Sequence, residues 1–383
     1  MNDTREYLKW RGDIELGYDG VNAVDALVFS QLSYLHLGEA APGKDGLMLA
    51  ELMPMMNIVP MEPGNPQTAQ NRREIGTLAA QSRRMGGLRM EDYEDVFQPQ
   101  DEKQFAAFTL VLPDGSRFVN YRGTDATIVG WREDFNMSFE CPVPAQQAAL
   151  EYLKRLAART EGPLYLGGHS KGGNLAVYAG ACCDETIRHR LKAVYTFDGP
   201  GLDEPTAQTE GYRALLPLIQ RYVPQTSIIG MLMCSDAPCT VVHSVASGLS
   251  QHDTFSWDIE GTGFLTLPAT TTASRFMNET VDDWLKTSTK AMRSTFVDAL
   301  FDVMDATNAR TLGELRQNLS TSLSAMLTAT RNIDAPTRKV LVSVLTSLMS
   351  SGAASVVKLW SEHEDEKREA KAAEVSEQEE KKG

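Results

Sequence analysis

The stretch "LYLGGHSKGGNLAVYAG", from Leu164 to Gly180, decides the fold of this chain. A short apolar strand leads into four glycines around one serine, and an apolar helix follows. The letters Gly168 to Gly172 fit G-x-S-x-G, the nucleophile elbow, in which small neighbours let the helix start pass close to the strand end. We therefore predict that Ser170 is an exposed nucleophile. The alternatives are a structural glycine turn or a phosphate loop, but the G-x-x-x-x-G-K-[ST] pattern of the latter is absent.

Composition places the chain among ordinary globular proteins. Its 383 residues are 42% hydrophobic and 23% charged, enough for one large domain or two smaller ones. The formal net charge of −14 argues against nucleic-acid binding, which needs clustered lysine and arginine. The first residues lack an apolar signal core, and no run approaches the roughly 18–20 apolar residues of a membrane span.

The cysteines point to a reducing compartment. Five of them, irregularly spaced, fit free thiols better than a disulfide framework, so we expect a cytoplasmic protein without stable membrane insertion. The spacing of Cys234 and Cys239 is not a zinc signature. We expect neither a metal nor another cofactor.

Strands and helices alternate along the middle of the chain. Two β-rich runs flank "PDGS" and predict a hairpin. Alternating elements favour an α/β fold with a mainly parallel central sheet. The predicted elements are a helix within 21–37, a helix near 70–85, strands 105–112 and 117–121, helix 145–159, strand 164–166, helix 174–183, a strand ending at 198 and a strand ending near 224.

Three regions are predicted. Residues 1–260 form the core, with a cap-like elaboration near 38–98 that is rich in methionine, proline and glycine. Its methionines either line an acyl pocket or fill the core. Residues 261–360 are helical and pack on the core or form an oligomer contact. Residues 361–383 carry too few apolar side chains to fold, so we predict a charged disordered tail.

Several segments resemble a known family. "GGHSKGGNLAVYAG" resembles the elbow of class 3 (fungal-type) lipases of the α/β-hydrolase superfamily, and "VNYRGTDATIVGWREDFNMSF" and "VYTFDGPGLD" resemble their flanking strands. With "YLKWRGDIEL", "VDALVFSQLSYL", "VPQTSIIGML" and "SGLSQHDTFSW", the chain is most similar to the Mbeg-like family, which is related to these lipases and largely of unknown function. The resemblance covers about 7–257 well, and it implies an α/β-hydrolase fold without naming a substrate.

A nucleophilic serine needs a base and an orienting acid. The superfamily order Ser, Asp/Glu, His favours His252, which follows a Ser/Gly-rich loop and matches the family's His-Asp-x-Phe-x-Trp segment, over His243 in a strand-like run. The resemblance places the lipase acid at Ser227, so this chain departs from the pattern. Asp198, at the carboxyl end of a strand, is our choice for the acid, although it could instead only brace the "DGPG" turn. The reserve candidates are Asp236 and Asp253.

Two backbone amides are candidates for an oxyanion hole: that of Lys171 at the helix start and that of Thr124 in "YRGTD". The Lys171 side chain either lies beside the pocket, where it would favour an acidic substrate, or points to solvent. His169 is expected to pack beside the elbow without a catalytic role. Arg122 is expected to form a buried ion pair, with Asp134 as the suggested partner.

The leading hypothesis is a serine hydrolase that cleaves a small acyl ester or a lipid-like ester through an acyl-enzyme on Ser170. An acyltransferase would use the same residues. The alternative is a catalytically degenerate hydrolase that acts as a binding or scaffolding module, and the absence of an acid at Ser227 motivates it. Sequence does not reveal the substrate, the acyl chain length or the oligomeric state.

Overall fold

The computed structural model describes residues 2–36, 46–56, 66–98, 103–124, 137 and 141–272, together with scattered residues between 274 and 299 and residues 333–341. The described helices are α1 Thr4–Arg11, α2 Leu16–Asp19, α3 Ala23–Leu32, α4 Leu49–Met56, α5 Pro66–Gln81, α6 Pro144–Arg159, α7 Lys171–Cys182, α8 Glu185–Arg188, α9 Glu204–Ala207 and α10 Glu210–Leu215. The described strands are β1 Arg89–Gln98, β2 Lys103–Val111, β3 Arg117–Tyr121, β4 Leu164–His169, β5 Leu191–Phe197, β6 Ile219–Pro224, β7 Cys239–Val242, β8 Ile259–Glu260, β9 Gly263–Phe264 and β10 Thr266–Leu267.

One large sheet organises the described part of the chain, with strand order β1-β2-β3-β4-β5-β6-β7-β10. Strands β3 to β7 are parallel, while β1 and β2 at one edge and β10 at the other pair antiparallel. The predicted mixed α/β fold with a mainly parallel sheet is therefore confirmed. Parallel strands end at one edge of the sheet, and chemistry in such folds gathers there.

Helices cover both faces of the sheet, so the central strands are buried on both sides. Helices α1, α3 and α5 lie over one face, with Phe29 and Phe118 in contact at 5.1 Å between ring centroids. Helices α6, α7 and α10 lie over the other. Helix α6 begins with Pro144 at its first turn and buries a stripe at helical spacing, Tyr152, Leu153 and Leu156 among it. Each such large side chain contributes about 1.5–3 kcal/mol when fully buried.

The structure describes only parts of the three regions predicted from the sequence. Within 38–98, β1 is an edge strand of the main sheet and pairs with β2. Beyond β10, Trp284 packs on Phe296 at 5.0 Å and its indole N–H donates to Thr337 at 3.3 Å. The predicted tail 361–383 lies outside the described residues. Within the described part of the chain, no helix is long and apolar enough to cross a membrane.

Candidate active site

The carboxyl ends of β3 to β6 bring the candidate residues to one edge of the sheet. Thr124 follows β3, Ser170 follows β4, Asp198 follows β5 and Ser227 follows β6. His252 reaches the same edge from the loop after β7, at the end of a 3-10 turn over Gly248–His252. Residues far apart in sequence therefore share one small region because the strands that carry them are parallel neighbours.

Ser170 occupies a strained corner between β4 and α7. Its backbone has φ 58° and ψ −131°, a conformation that residues other than glycine rarely adopt and that costs about 1–3 kcal/mol. The Ser170 N–H donates to the Phe197 carbonyl at 2.9 Å, which ties the corner to the end of β5. The strain and the tie together give the geometry of a nucleophile elbow.

The flanking glycines are required by close backbone approaches. A Cβ on Gly168 would lie 2.3 Å from the Gly172 carbonyl carbon, and a Cβ on Gly172 would lie 2.1 Å from the Tyr121 oxygen. Real Cβ atoms do not approach backbone so closely. The four glycines therefore allow β3, β4 and the start of α7 to meet at the serine.

His252 and Asp198 form a hydrogen-bonded pair. The His252 Nδ1 nitrogen lies 2.6 Å from Asp198 Oδ2. Asp198 is 1% exposed, and it ends β5 with a left-handed φ of 49°, which aspartate tolerates better than most residues. The histidine loop is anchored by the buried indole of Trp257, which donates to the Gln251 carbonyl at 2.7 Å. The "HDTFSW" segment thus contains both the candidate base and its anchor.

Ser227 takes part in the site as a hydrogen-bond donor. Its hydroxyl donates to Asp198 Oδ1 at 2.5 Å, and the Gly230 N–H donates to the same oxygen at 3.1 Å. A buried carboxylate needs such hydrogen-bond donors to offset the loss of its contacts with water. Ser227, at the position where the resemblance placed an acid, therefore donates a hydrogen bond to Asp198 after the neighbouring strand. His252 has a carboxylate partner although residue 227 is a serine.

His169 contacts the back of His252. Its Nε2 lies 2.8 Å from the His252 carbonyl oxygen, so Nε2 carries a proton and donates it. Its Nδ1 lies 2.8 Å from the Tyr34 hydroxyl, which therefore donates to it. The two rings lie 4.5 Å apart. Burial, together with the nearby His252 ring, lowers the pKa of His169 well below its ordinary value of 6.5. This histidine is neutral and holds the loop of the candidate base.

We expect this neutral histidine to make stability depend on pH. Below about pH 6.5 the unfolded chain binds a proton at His169 that the folded protein does not, so the free energy of unfolding falls by up to about 1.4 kcal/mol per pH unit. Urea unfolding of wild type and His169→Asn at pH 7.5, 6.5 and 5.5 measures this. The variant should be less stable at pH 7.5 and lose less stability between pH 6.5 and 5.5.

A histidine on the surface supplies the control for this pH series. His189 is paired with Glu185 and its side chain is 75% exposed. His189→Asn should therefore keep the wild-type loss of stability on acidification. Equal pH slopes for wild type and His169→Asn would contradict the buried neutral state.

The other candidate histidine and the reserve acids make hydrogen bonds that do not involve the His252 ring. His243 Nδ1 pairs with Asp258 Oδ2 at 2.7 Å. Asp236 is exposed, and its backbone N–H donates to the Tyr212 hydroxyl. Asp253 accepts from the Thr68 hydroxyl at 2.9 Å and from the Phe255 N–H at 3.1 Å. Among the described residues, only Asp198 of the three candidate acids bonds to the His252 ring.

The oxyanion candidates lie where the elbow meets β3. Helix α7 begins at Lys171, so the backbone amide of this residue belongs to the positive end of the helix dipole. Gly123, just before Thr124, passes so close to the elbow that a Cβ there would lie 2.5 Å from the His169 oxygen. The donation by these two amides to a substrate oxygen stays a prediction.

The side chains of Lys171 and Arg122 are both buried. The Lys171 side chain does not point to solvent, because the residue is 1% exposed and its ammonium donates to the Gln104 carbonyl at 3.1 Å. Arg122 forms a buried ion pair, as expected, and the partner within the described residues is Asp95, at 2.9 and 2.8 Å. Asp134 lies outside the described residues. Burial opposes ionisation of Asp95, yet hydrogen bonds from His36 and Arg122 outweigh it and lower the pKa of this carboxyl.

Sequence reasoning did not find three contributors to the site. Tyr34 carries no motif signal at the end of "SQLSYL", and the support of Asp198 by Ser227 depends on the neighbouring strand. The contact of His169 with the His252 backbone likewise has no local signature.

Within the described residues, no group of three or more His, Cys, Asp or Glu side chains is arranged to hold a metal ion.

Comparison with known proteins shows the family of the chain. The sequence profile of the Mbeg1-like family matches residues 79–302, more than half of the chain. The protein belongs to this lipase-related family, which confirms the resemblance seen in its motifs. A solved structure, a mutant form of MDLA from Penicillium cyclopium, is similar with a TM-score of 0.36 and 10% identity, over 63% of this chain and 83% of that one. Curated proteins gave no match.

Proposed function

We propose that the protein is a serine hydrolase with an α/β-hydrolase fold and that it cleaves carboxylic esters through an acyl-enzyme on Ser170. His252 acts as the base, and Asp198 is the acid that orients it. The backbone amides of Lys171 and Thr124 stabilise the oxyanion. The substrate is a small acyl ester or a lipid-like ester, and no metal or cofactor takes part.

The observation that carries this proposal is the hydrogen bond of 2.6 Å between His252 Nδ1 and the buried carboxylate of Asp198. This contact holds the proton on Nδ1 and leaves Nε2 as the nitrogen that accepts a proton. Ser170 and Asp198 end neighbouring parallel strands, and the order Ser, Asp, His along the chain is that of α/β-hydrolases.

The proposed reaction has two steps. The Ser170 oxygen attacks the ester carbonyl while its proton passes to His252 Nε2. The tetrahedral intermediate collapses as that proton moves to the leaving alcohol, which leaves an acyl group on Ser170. Water then gives a proton to Nε2 and attacks the acyl carbon, so that the acid is released and the serine regains its hydrogen. Asp198 stabilises the charged histidine in both steps.

An uncharged alkyl fluorophosphonate tests the proposal, because it reacts with serine only when a base activates the hydroxyl. We expect rapid labelling of the wild type, no labelling of Ser170→Ala and very slow labelling of His252→Ala. Labelling is read by intact-mass spectrometry, and circular dichroism checks that each variant is folded.

The chain offers a matched control in its second histidine–aspartate pair. His243 pairs with Asp258 at 2.7 Å, as His252 does with Asp198, but outside the proposed machinery. His243→Ala should label at the wild-type rate. A folded wild type that stays unlabelled would sink the proposal and favour the alternative of a degenerate hydrolase that serves as a binding module.

A further inference from the structure

An arginine without a carboxylate partner among the described residues lies over Tyr34, the tyrosine that contacts His169. Arg72, on α5, places its guanidinium carbon 4.1 Å from the centre of the Tyr34 ring, and the side chain is half-buried. Across the ranges that the structure describes, no carboxylate forms an ion pair with it. Arg84 and Arg122, by contrast, each hold an aspartate with two nitrogens.

Short contacts connect this arginine to the proposed base. The hydroxyl of Tyr34 lies 2.8 Å from His169 Nδ1, and His169 Nε2 lies 2.8 Å from the carbonyl of His252. Arg72 therefore lies about one tyrosine ring away from the histidine pair.

Helix α5 faces the loop of His252. Thr68, one turn before Arg72, donates its hydroxyl to Asp253 Oδ2 at 2.9 Å. Residues four apart lie on the same face of a helix, so Arg72 faces the same side as Thr68. The positive charge of Arg72 also acts electrostatically on His169. After burial and the His252 ring, Arg72 is a further cause of the lowered pKa of His169.

We propose that Arg72 binds an anionic group of the substrate, so that the preferred esters carry a carboxylate or a phosphate on the acyl or alcohol side. This inference rests on the proposed hydrolase function and names its substrate class. The stacked guanidinium is pre-oriented and keeps its N–H donors for a planar or tetrahedral anion. The chain as a whole carries a charge of −14, so its general field repels anions and a local cation is needed to hold one.

Two esters of equal acyl length test the proposal: p-nitrophenyl hydrogen glutarate, which is anionic, and p-nitrophenyl pentanoate, which is neutral. The ratio of their kcat/KM values should favour the anionic ester in the wild type and fall about tenfold in Arg72→Gln, the loss expected for one charge-assisted hydrogen bond. Arg73→Gln removes the same charge from the next position on α5 and should keep the wild-type ratio. An unchanged ratio in Arg72→Gln would overturn the inference and leave the stacking on Tyr34 as packing alone.

A binding measurement keeps this inference separate from the hydrolase proposal. Calorimetry with monomethyl glutarate on Ser170→Ala protein needs no turnover. The dissociation constant should rise at least about fivefold when Arg72→Gln is added and stay unchanged when Arg73→Gln is added. No binding, or equal weakening by both variants, refutes the anion site. If fluorophosphonate labelling fails while this binding is observed, only the hydrolase proposal is refuted and the anion site stands.

Discussion

Asp198→Asn is expected to lower kcat for p-nitrophenyl pentanoate by about 10⁴-fold while the protein stays folded. The reason lies in the donors around the carboxylate. Ser227 and Gly230 both donate to Oδ1, so the asparagine oxygen stays on that side and its NH₂ group faces His252. His252 Nδ1 must then accept a hydrogen bond, the proton moves to Nε2, and the ring can no longer take the proton of Ser170.

Two further variants serve as a control and as a milder change for this measurement. Asp258→Asn makes the same change beside His243 and should keep the wild-type kcat. Ser227→Ala removes one donor but leaves the Gly230 amide on Asp198, so we expect a loss of about fivefold, the effect of one hydrogen bond. A kcat for Asp198→Asn within tenfold of the wild type would show that this carboxylate only braces its turn.

Gly172→Ala is expected to destabilise the whole elbow by about 3 kcal/mol, at the upper end of overpacking effects. The new Cβ would lie 2.1 Å from the Tyr121 oxygen and 3.0 Å from the Arg122 carbonyl carbon. The first is a backbone atom of β3 and the second lies just after that strand, where the Arg122 N–H still donates to the Ala106 carbonyl of β2, so α7 must shift away and carry Ser170 with it. The thermal midpoint should fall by about 5–10 °C, and fluorophosphonate labelling should be lost.

Gly87→Ala is the matched control for this substitution. No atom lies within 4 Å of a Cβ at Gly87, so the same added methyl group meets open space. Its thermal midpoint and labelling should equal those of the wild type. If Gly172→Ala behaved in the same way, the close approach of α7 to β3 would not be a requirement of the fold.

The local elements were predictable because their signals are local. The hairpin around "PDGS", helix α6 and the strand–corner–helix around Ser170 follow from apolar periodicity, proline and glycine within windows of 5 to 20 residues, and all are observed. Strand β1 escaped prediction because "RMEDYEDVFQ" carries acidic residues that an edge strand with one exposed side tolerates.

The partnership of Asp198 with His252 depended on tertiary structure. The two residues are 54 positions apart, and sequence left Asp236 and Asp253 as reserve candidates for the acid. The order of the parallel strands brings Asp198 under the histidine loop. The same folding turns the Lys171 side chain inward to the Gln104 carbonyl and places Arg72 over the Tyr34 ring.

By itself the sequence determined the elbow, the alternation of strands and helices and the motifs of a lipase-related family, because backbone strain, glycine and periodicity act between near neighbours in the chain. Only the tertiary structure decided which carboxylate meets His252 and which donors hold it. Those choices depend on side-chain contacts between strands and loops that are distant in sequence. Their geometry exists only once the sheet has set its strand order.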